Sequence, residues 1–319
     1  MQIVDLIRKI GIVPVVKLDD AKDAQPLGKA LIDGGLPCAE VTFRTAAAKE
    51  SIQIMVENFP DMLVGAGTVL TLQQLDDAIS AGAKFIVSPG FNREIVEACI
   101  KRGIPVFPGC SSPTDIEAAL SLGLSTVKFF PAEQSGGIAA IKAMAAPYGE
   151  LNFMPTGGVN SKNINDYLSF NKVVACGGSW MVDPALVAAG DFAEITRRTK
   201  EAISTILGYS LMHVGINCED REQMEHVCKT FCSLFNLEYK PGNSTVFAGS
   251  LIETMMPAPN KGKNGHIAIG TNSMERAMYQ LERLGVKFIE DTRYNDEKGL
   301  KAIYTDLDFC GFAVHLLRK

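Results

Sequence analysis

A repeated unit of one strand and one helix constrains the fold of this chain more than any other feature. Up to about residue 208, short apolar runs that end in Gly, Ser, Thr or Pro alternate with stretches of helical periodicity. The runs begin roughly 20 to 27 residues apart, at 13–18, 39–43, 63–69, 85–89, 105–109, 126–131, 153–158 and 173–180. The helical stretches cover 22–32, 46–58, 72–81, 93–101, 113–121, 136–145 and 161–168.

Eight such units predict an α/β fold, a compact (β/α)8 TIM barrel preceded by an amphipathic N-terminal helix at 1–10. A doubly wound open sheet is the alternative, but it explains eight evenly spaced units less well, and no GxGxxG motif follows the first predicted strand. The composition changes after 206–210, beyond which all four histidines of the chain lie. We therefore expect two domains, a barrel at 1–208 and a smaller α+β domain at 209–319.

The net charge and the cysteines limit which binding partners and which cellular compartment fit this chain. The net charge of the 319 residues is -5, without a long basic run, which argues against nucleic acid or an anionic membrane as a partner. The longest apolar run falls short of a membrane span, and the N-terminus is too charged for a signal peptide. Eight scattered cysteines without a CxxC pair indicate reduced thiols, and hence a cytoplasmic protein.

Lys128 lies inside an apolar run, 126–131, that is built to be a buried strand. Desolvation disfavours an ammonium ion, so a lysine at such a position is readily a neutral amine. A neutral amine is a nucleophile towards carbonyl groups and forms Schiff bases. The alternative is a lysine near the end of a strand, whose charged end reaches water.

Further polar side chains are expected on the inner face of the barrel. Glu40, Thr42 and Arg44 are spaced by two along the second predicted strand and therefore share one face. Thr68 ends the third strand, and Lys128 lies on the sixth. A buried ion pair of Glu40 with Arg44 or Lys128 is the structural alternative, but the cost of desolvating three charges makes a functional cavity the better explanation.

Two glycine pairs close the seventh and eighth predicted strands. Gly157 and Gly158 follow Thr156, and Gly178 precedes Ser179. In barrels, the loops after strands seven and eight often bind phosphate through backbone N–H groups, which glycine lets approach closely. Tight turns are the alternative explanation for these glycines.

Six stretches together resemble the family of 2-keto-3-deoxy-6-phosphogluconate (KDPG) and 4-hydroxy-2-oxoglutarate (KHG) aldolases. They are 40–45 (EVTFRT), 64–70 (VGAGTVL), 88–90 (SPG), 127–132 (VKFFPA), 155–158 (PTGG) and 177–180 (GGSW). The resemblance covers about residues 1–208. It implies a class I aldolase that needs no cofactor, is a homotrimer through the barrel, and releases pyruvate from a 2-keto-3-deoxy sugar acid.

The resemblance also implies a role for each site residue. Lys128 would form the Schiff base with the pyruvate half of the substrate, and Glu40 would shuttle protons. Arg44 and Thr68 would hold the pyruvate carboxylate, with Thr156 nearby. The phosphate would be held by Gly157, Gly158, Gly178 and Ser179. The products would be pyruvate with glyceraldehyde 3-phosphate from KDPG, or pyruvate with glyoxylate from KHG. The glycines and Ser179 favour KDPG, and the apolar segment after Arg44 leaves the choice of aldehyde open.

The last hundred residues contain a weak internal repeat. His213 and His266 each begin a strand that precedes a helix, and Glu253 and His315 each lie in the last strand of a module. Two β-α-β-β-β modules of this kind resemble the glyoxalase, or vicinal oxygen chelate, superfamily. By that resemblance these four residues would bind a divalent metal, and histidine and carboxylate ligands suit Zn, Ni, Fe, Co or Mn. A metal-free dimerisation or capping module is the alternative.

Three hypotheses for the whole chain follow. The leading one is an aldolase with an appended glyoxalase-like domain. The second is a non-catalytic regulatory protein that senses a sugar acid or a metal. It has no use for a buried lysine beside a proton shuttle. The third is a bifunctional enzyme with a metal-dependent activity of the second domain on a related 2-oxo acid.

Overall fold

The computed structural model describes residues 2–319, so Met1, the first residue of the predicted N-terminal helix, lies outside the described residues. The chain forms two compact units, Met1–Ile206 and Leu207–Lys319. Within the described residues, no helix has both the length and the apolar character needed to cross a membrane.

The strands of the first unit are short and buried. They are β1 (Ile12–Val16), β2 (Cys38–Thr42), β3 (Leu63–Gly67), β4 (Ile86–Val87), β5 (Val106–Phe107), β6 (Thr126–Phe129), β7 (Asn152–Pro155) and β8 (Cys176–Gly178). Each lies within or one residue outside a predicted apolar run. The runs at 85–89 and 173–180 are longer than their strands because their ends leave the sheet as loops.

All strand pairs of this unit are parallel. Six strands form a sheet in the order β5-β4-β3-β2-β1-β8, and β6 pairs with β7. Isolated parallel bridges join Gly109 to Lys128 on one side of the β6–β7 pair, and Thr156 to Gly177 on the other. The strands follow one another in chain order, without the reversal of a doubly wound sheet. The predicted parallel α/β architecture is therefore confirmed, and the strand order differs from that of a doubly wound sheet.

Helices precede, connect and follow these strands. They are α1 (Ile3–Ile10), α2 (Ala24–Asp33), α3 (Ala48–Asn58), α4 (Leu72–Ser80), α5 (Arg93–Lys101), α6 (Pro113–Ser121), α7 (Gly137–Ala145), α8 (Ile164–Leu168), α9 (Pro184–Ala188) and α10 (Phe192–Leu207). Several begin at side-chain caps: Thr71 accepts from the N–H of Gln74, and Ser112 forms a capping box with Asp115. Helices α9 and α10 were not among the predicted helical stretches.

The second unit repeats one order of elements. The first half is β9 (Ser210–Asn217), α11 (Arg221–Phe235), β10 (Tyr239–Pro241), β11 (Thr245–Ala248) and β12 (Ile252–Met255). The second half is β13 (Gly265–Thr271), α12 (Met274–Arg283), β14 (Tyr294–Asp296), β15 (Gly299–Phe309) and β16 (Phe312–Arg318). One mixed sheet contains all eight strands in the order β10-β11-β12-β9-β13-β16-β15-β14.

The two faces of this sheet differ. Helix α11 buries Met224 and Cys228 against Val246 and Ala248 of β11, and the hydroxyl of Thr254 on β12 donates to the carbonyl of Met224. Side chains alternate along a strand, so Glu253, the neighbour of Thr254, lies on the face opposite α11. The polar cluster described below lies on that second face.

Candidate active site

A buried ion pair lies at the centre of the first unit. Lys128 on β6 is 5% exposed and Glu40 on β2 is 1% exposed. The Nζ of Lys128 lies 3.3 Å from Oε1 of Glu40. Among the described residues, Oε2 of Glu40 has no hydrogen-bond partner. The pair therefore combines a desolvated amine with a carboxylate that still has a free oxygen to accept a proton.

Arg44 and Thr68 meet beyond the ends of β2 and β3. The Nε of Arg44 lies 3.3 Å from Oγ1 of Thr68. Thr68 has a φ of 57°, a left-handed conformation that is costly for a β-branched residue and that concentrates at functional sites. By contrast, the hydroxyl of Thr42 donates to the carbonyl of Val16 at 2.9 Å, so Thr42 ties two strands together.

A cavity of about 310 Å³ opens beside this cluster. Six of the predicted site residues line it: Arg44, Thr156, Gly157, Gly158, Gly178 and Ser179. Lys128, Glu40 and Thr68 are not lining residues, but Thr68 contacts Arg44 of the lining and Glu40 contacts Lys128. Phe130, which belongs to the lining, places its ring centroid 5.5 Å from Nζ of Lys128. The structure thus brings the carboxylate, lysine, guanidinium and glycine residues to one region of the molecule.

The glycine loop after β7 has a backbone that requires glycine. Gly157 and Gly158 have φ angles of 101° and 82°, in the left-handed region. A Cβ atom at Gly158 would also lie 2.4 Å from Cγ of Glu133. Thr156, just before them, keeps a buried hydroxyl oxygen that finds no hydrogen-bond partner in the part of the chain described. These features leave backbone N–H groups and a hydroxyl for a ligand.

Lys17 lines the same cavity, although sequence reasoning did not identify it. It follows β1 directly, and its Nζ lies 2.7 Å from Oδ1 of Asp19. The run 13–18 is predicted as an apolar strand, and Lys17 is its one charged residue. A single charge at the C-terminal end of the first strand, where barrel sites lie, was the available signal.

Residues 3–198 match the model of a protein family described as "Aldolase: KDPG and KHG aldolase". The chain belongs to the KDPG and KHG aldolase family. The match covers more than half of the chain and does not reach the second unit.

Individual relatives agree with this assignment. The chain is 47% identical over 204 residues to a 2-dehydro-3-deoxy-phosphogluconate aldolase of Treponema pallidum, covering 64% of this chain and 97% of the relative. It is 48% identical over 205 residues to the enzyme of that name from Haemophilus influenzae, with the same coverage. A crystal structure of the KDPG aldolase of Legionella pneumophila, with pyruvate captured as a covalent carbinolamine, superposes with a TM-score of 0.61. It is 37% identical and covers 63% of this chain and 98% of that one.

The chain is therefore a carbon–carbon lyase of class I, which acts through a Schiff base. The predicted family, enzyme class and chemistry are confirmed. The roles assigned to individual residues stay predictions that the geometry above supports.

The second unit contains its own polar cluster. The Nε2 atoms of His213 and His266 lie 3.0 Å apart, and each lies 3.1 Å from Oε2 of Glu253. Ligand nitrogens of His213, His266 and His315 lie within 4.8 Å of one another. Strand pairing explains the convergence, because Glu253, Gly215 and His266 form one row across β12, β9 and β13. His213, Ala268 and His315 form the next row.

Two groups of this cluster have shifted pKa values. Burial lowers the pKa of His315 to about 3, with help from the two neighbouring histidines, so its imidazole is neutral. Burial raises the pKa of Glu253, but hydrogen bonds from His213 and His266 outweigh it and hold that pKa well below the usual range. Nδ1 of His315 lies 3.2 Å from the carbonyl of Leu316 and must carry the proton, which leaves Nε2 as a free lone pair.

The donor atoms fit a divalent metal ion. Among the described residues, Nε2 of His315 is buried and has no hydrogen-bond partner. Adjacent ligands at about 2.1 Å from an ion lie roughly 3.0 Å apart in an octahedral site and roughly 3.4 Å apart in a tetrahedral one. The observed spacings of 3.0 and 3.1 Å agree with the octahedral value. The cluster lies at a cavity of about 720 Å³.

Proposed function

We propose that residues 1–208 form a closed (β/α)8 barrel that cleaves KDPG to pyruvate and glyceraldehyde 3-phosphate through an imine on Lys128, with KHG as a second substrate. The buried pair of Lys128 and Glu40 carries this proposal. An amine and a carboxylate at 3.3 Å, out of water, supply the nucleophile and the proton carrier that imine chemistry needs.

The first half of the reaction forms the imine. In the proposed mechanism, Glu40 takes a proton from the ammonium group of Lys128, and the neutral Nζ adds to the C2 carbonyl of the substrate. Transfer of a second proton from Nζ to the carbonyl oxygen gives a carbinolamine. Glu40 then donates a proton to the hydroxyl group, which leaves as water. The product is a protonated imine, whose positive nitrogen can accept an electron pair.

The second half breaks the carbon–carbon bond. Glu40, now ionised, removes the proton of the C4 hydroxyl group. The C3–C4 electron pair moves towards the imine nitrogen, so the aldehyde departs and an enamine remains. Protonation of C3 and addition of water then release pyruvate and regenerate the amine of Lys128. The unpartnered Oε2 of Glu40 is the atom that we assign to these proton transfers.

Two further groups would hold the ends of the substrate. Arg44 and Thr68 would bind the carboxylate of the pyruvate half, since a guanidinium offers two parallel donors. Thr156 would add a hydroxyl group. The phosphate would lie against the glycine loops at Gly157, Gly158, Gly178 and Ser179, and these four residues favour KDPG over KHG.

Borohydride trapping with pyruvate, read by intact mass, tests this proposal. We expect the wild type and Lys162→Met, which changes an exposed lysine, to gain a pyruvate-sized adduct. Lys128→Met should gain none and should lose cleavage of KDPG while it still folds. An adduct on Lys128→Met would remove Lys128 from the role of nucleophile. The absence of any wild-type adduct would favour the regulatory alternative.

We also propose that residues 209–319 form a glyoxalase-like domain whose metal ligands are His213, Glu253, His266 and His315. The spacing of the donor atoms supports this assignment. A bound divalent ion would act as a Lewis acid. Metal analysis after growth with Mn, Fe, Co, Ni and Zn tests it. The wild type and His226→Leu, an exposed histidine, should hold one ion per chain, and His266→Leu much less. Absence of metal from the wild type would support the metal-free module, and one ion in each of the three proteins would remove His266 from the set of ligands.

Oligomer and compartment are also part of the proposal. We propose a homotrimer through the barrel, located in the cytoplasm, where eight free cysteines would stay reduced. Light scattering of the purified chain tests the trimer, and a monomer mass would overturn it.

A further inference from the structure

The cavity of the second unit carries a charge imbalance once a metal is bound. Its lining contains two carboxylates, Glu253 and Asp291, one ammonium group, Lys261, and the three histidines of the cluster. Histidines that bind a metal are neutral. The lining groups therefore have one net negative charge, and a divalent ion makes this one net positive charge. A partly enclosed cavity with excess positive charge favours an anion.

Lys261 is placed to contact such an anion. It follows a turn in which Asn260 has a φ of 62° and the N–H of Lys261 donates to the carbonyl of Ala258 at 3.3 Å. The side chain is half-buried at the cavity wall. Within residues 2–319, no carboxylate lies within 4.0 Å of its ammonium group, although Asp291 lines the same cavity. Lys261 is thus a half-buried lysine whose ammonium group has no carboxylate partner, and such a group can form an ion pair with the carboxylate of a ligand.

The remaining walls limit the size and character of the ligand. Tyr304 stacks on His315 with ring centroids 4.7 Å apart, and Phe247 packs edge-on against His213 at 5.6 Å. These rings give the cavity flat apolar surfaces beside the metal ligands. A small carboxylate with a short carbon chain matches both the charge and the walls.

We propose that the cavity of the second unit binds a small organic carboxylate, which contacts the metal and forms an ion pair with Lys261. This inference rests on the proposed metal site of the same domain. It goes beyond the four metal ligands because it names the class of ligand and the residue, Lys261, that would recognise it.

The test uses the full chain loaded with Co²⁺, whose visible absorption spectrum reports directly on the metal ligands. Lactate is the probe, because it has no carbonyl group and cannot form an imine with Lys128. We expect lactate to change the Co²⁺ spectrum in a saturable way. Lys261→Gln should raise the half-saturating lactate concentration at least about fivefold. The exposed neighbour Lys263 provides the matched control, and Lys263→Gln should leave that concentration unchanged.

The outcomes separate this inference from the metal site on which it rests. If the wild type fails to bind Co²⁺, the metal site and the inference both fail. If Co²⁺ binds and lactate leaves the spectrum unchanged, only the carboxylate site is overturned. If lactate binds equally well to Lys261→Gln and Lys263→Gln, Lys261 is not the recognition residue. Aldolase activity enters none of these readouts.

Discussion

Gly67 lies directly against the carboxylate of Glu40. A Cβ atom at position 67 would lie 2.2 Å from Oε1 and 2.7 Å from Cγ of Glu40. Gly67 pairs with Thr42 at the end of the parallel β2–β3 ladder, and its φ lies outside the left-handed region. The position therefore needs glycine for space and not for backbone conformation. The absence of a side chain at Gly67 leaves the space that the carboxylate of Glu40 occupies.

Gly67→Ala should therefore displace the Glu40 carboxylate while leaving Lys128 in place. We expect kcat for KDPG cleavage to fall about 100-fold, because a misplacement of about 1 Å costs that much. Pyruvate should still form a borohydride-trapped adduct, although more slowly. Gly149→Ala is the control, since a Cβ there meets nothing within 4 Å. If both variants keep wild-type kcat, the Gly67–Glu40 contact has no catalytic consequence.

Glu40→Gln tests the proton transfers themselves. The amide keeps the size of the side chain but cannot accept a proton, so kcat should fall by about 10²- to 10⁴-fold while KM changes little. Measuring kcat and KM separately for KDPG gives the answer. A large rise in KM with an unchanged kcat would instead make Glu40 a binding residue. Glu57→Gln, at an exposed position on α3, should behave as the wild type.

The sequence could place Glu40 and Lys128 because strand periodicity fixes which side chains share a face. The run predicted at 39–43 is β2 at Cys38–Thr42, and Lys128 lies in β6 as expected. Strand periodicity could not predict the contact between Gly67 and Glu40, because that contact depends on the register between β2 and β3. Lys17 was missed for a related reason. The direction of its side chain depends on where β1 ends, at Val16, and the alternation of apolar and polar residues does not show that end.

Helix α9 shows a second limit. Pro184–Ala188 is too short for helical periodicity to be visible, and Asp183 begins it by a side-chain cap. In the second unit, by contrast, the internal repeat predicted both helices, and the structure begins them at side-chain caps, Asp220 and Ser273. The four proposed metal ligands were identified through the repeat. Their actual spacing needed the register across β12, β9, β13 and β16.

Ser179→Ala tests the phosphate end of the aldolase cavity. Ser179 lines the cavity beside Gly178, so its hydroxyl should bind the phosphate of KDPG. Loss of a hydrogen bond to a charged group should lower kcat/KM for KDPG about tenfold or more, and hardly change it for unphosphorylated KHG. Equal losses for the two substrates would argue that Ser179 supports the loop without binding phosphate.

The metal-free second unit should lose stability as the pH falls. His315 has its pKa lowered to about 3 in the fold, against an ordinary value of 6.5. Between these values the unfolded chain binds a proton that the folded chain does not, so acid favours unfolding. In chelator-treated protein, we expect the urea midpoint of the second unit to fall from pH 6.5 towards pH 4. The midpoint of His315→Leu should fall less, and that of the control His226→Leu as much as the wild type.

The position of the only tryptophan makes this measurement specific. Trp180 lies in the first unit, so its fluorescence follows that unit alone, whereas far-ultraviolet circular dichroism follows both. The pH-dependent transition should appear in circular dichroism and not in fluorescence. A transition of the second unit that is insensitive to pH in this range would show that His315 is protonated in the fold.

Gly215 leaves space for the imidazole ring of His266, as Gly67 leaves space for the carboxylate of Glu40. It pairs with Glu253 on one side and His266 on the other, and a Cβ there would lie 2.2 to 2.6 Å from three atoms of the His266 ring. Gly215→Ala should push that imidazole away from Glu253 and weaken Co²⁺ binding by about 10- to 100-fold, as loss of ligand positioning does. Gly149→Ala is the control, because a Cβ there meets nothing within 4 Å. Calorimetric titration with Co²⁺ measures both affinities. Equal binding by the two variants would show that His266 is not held in place by the space above Gly215.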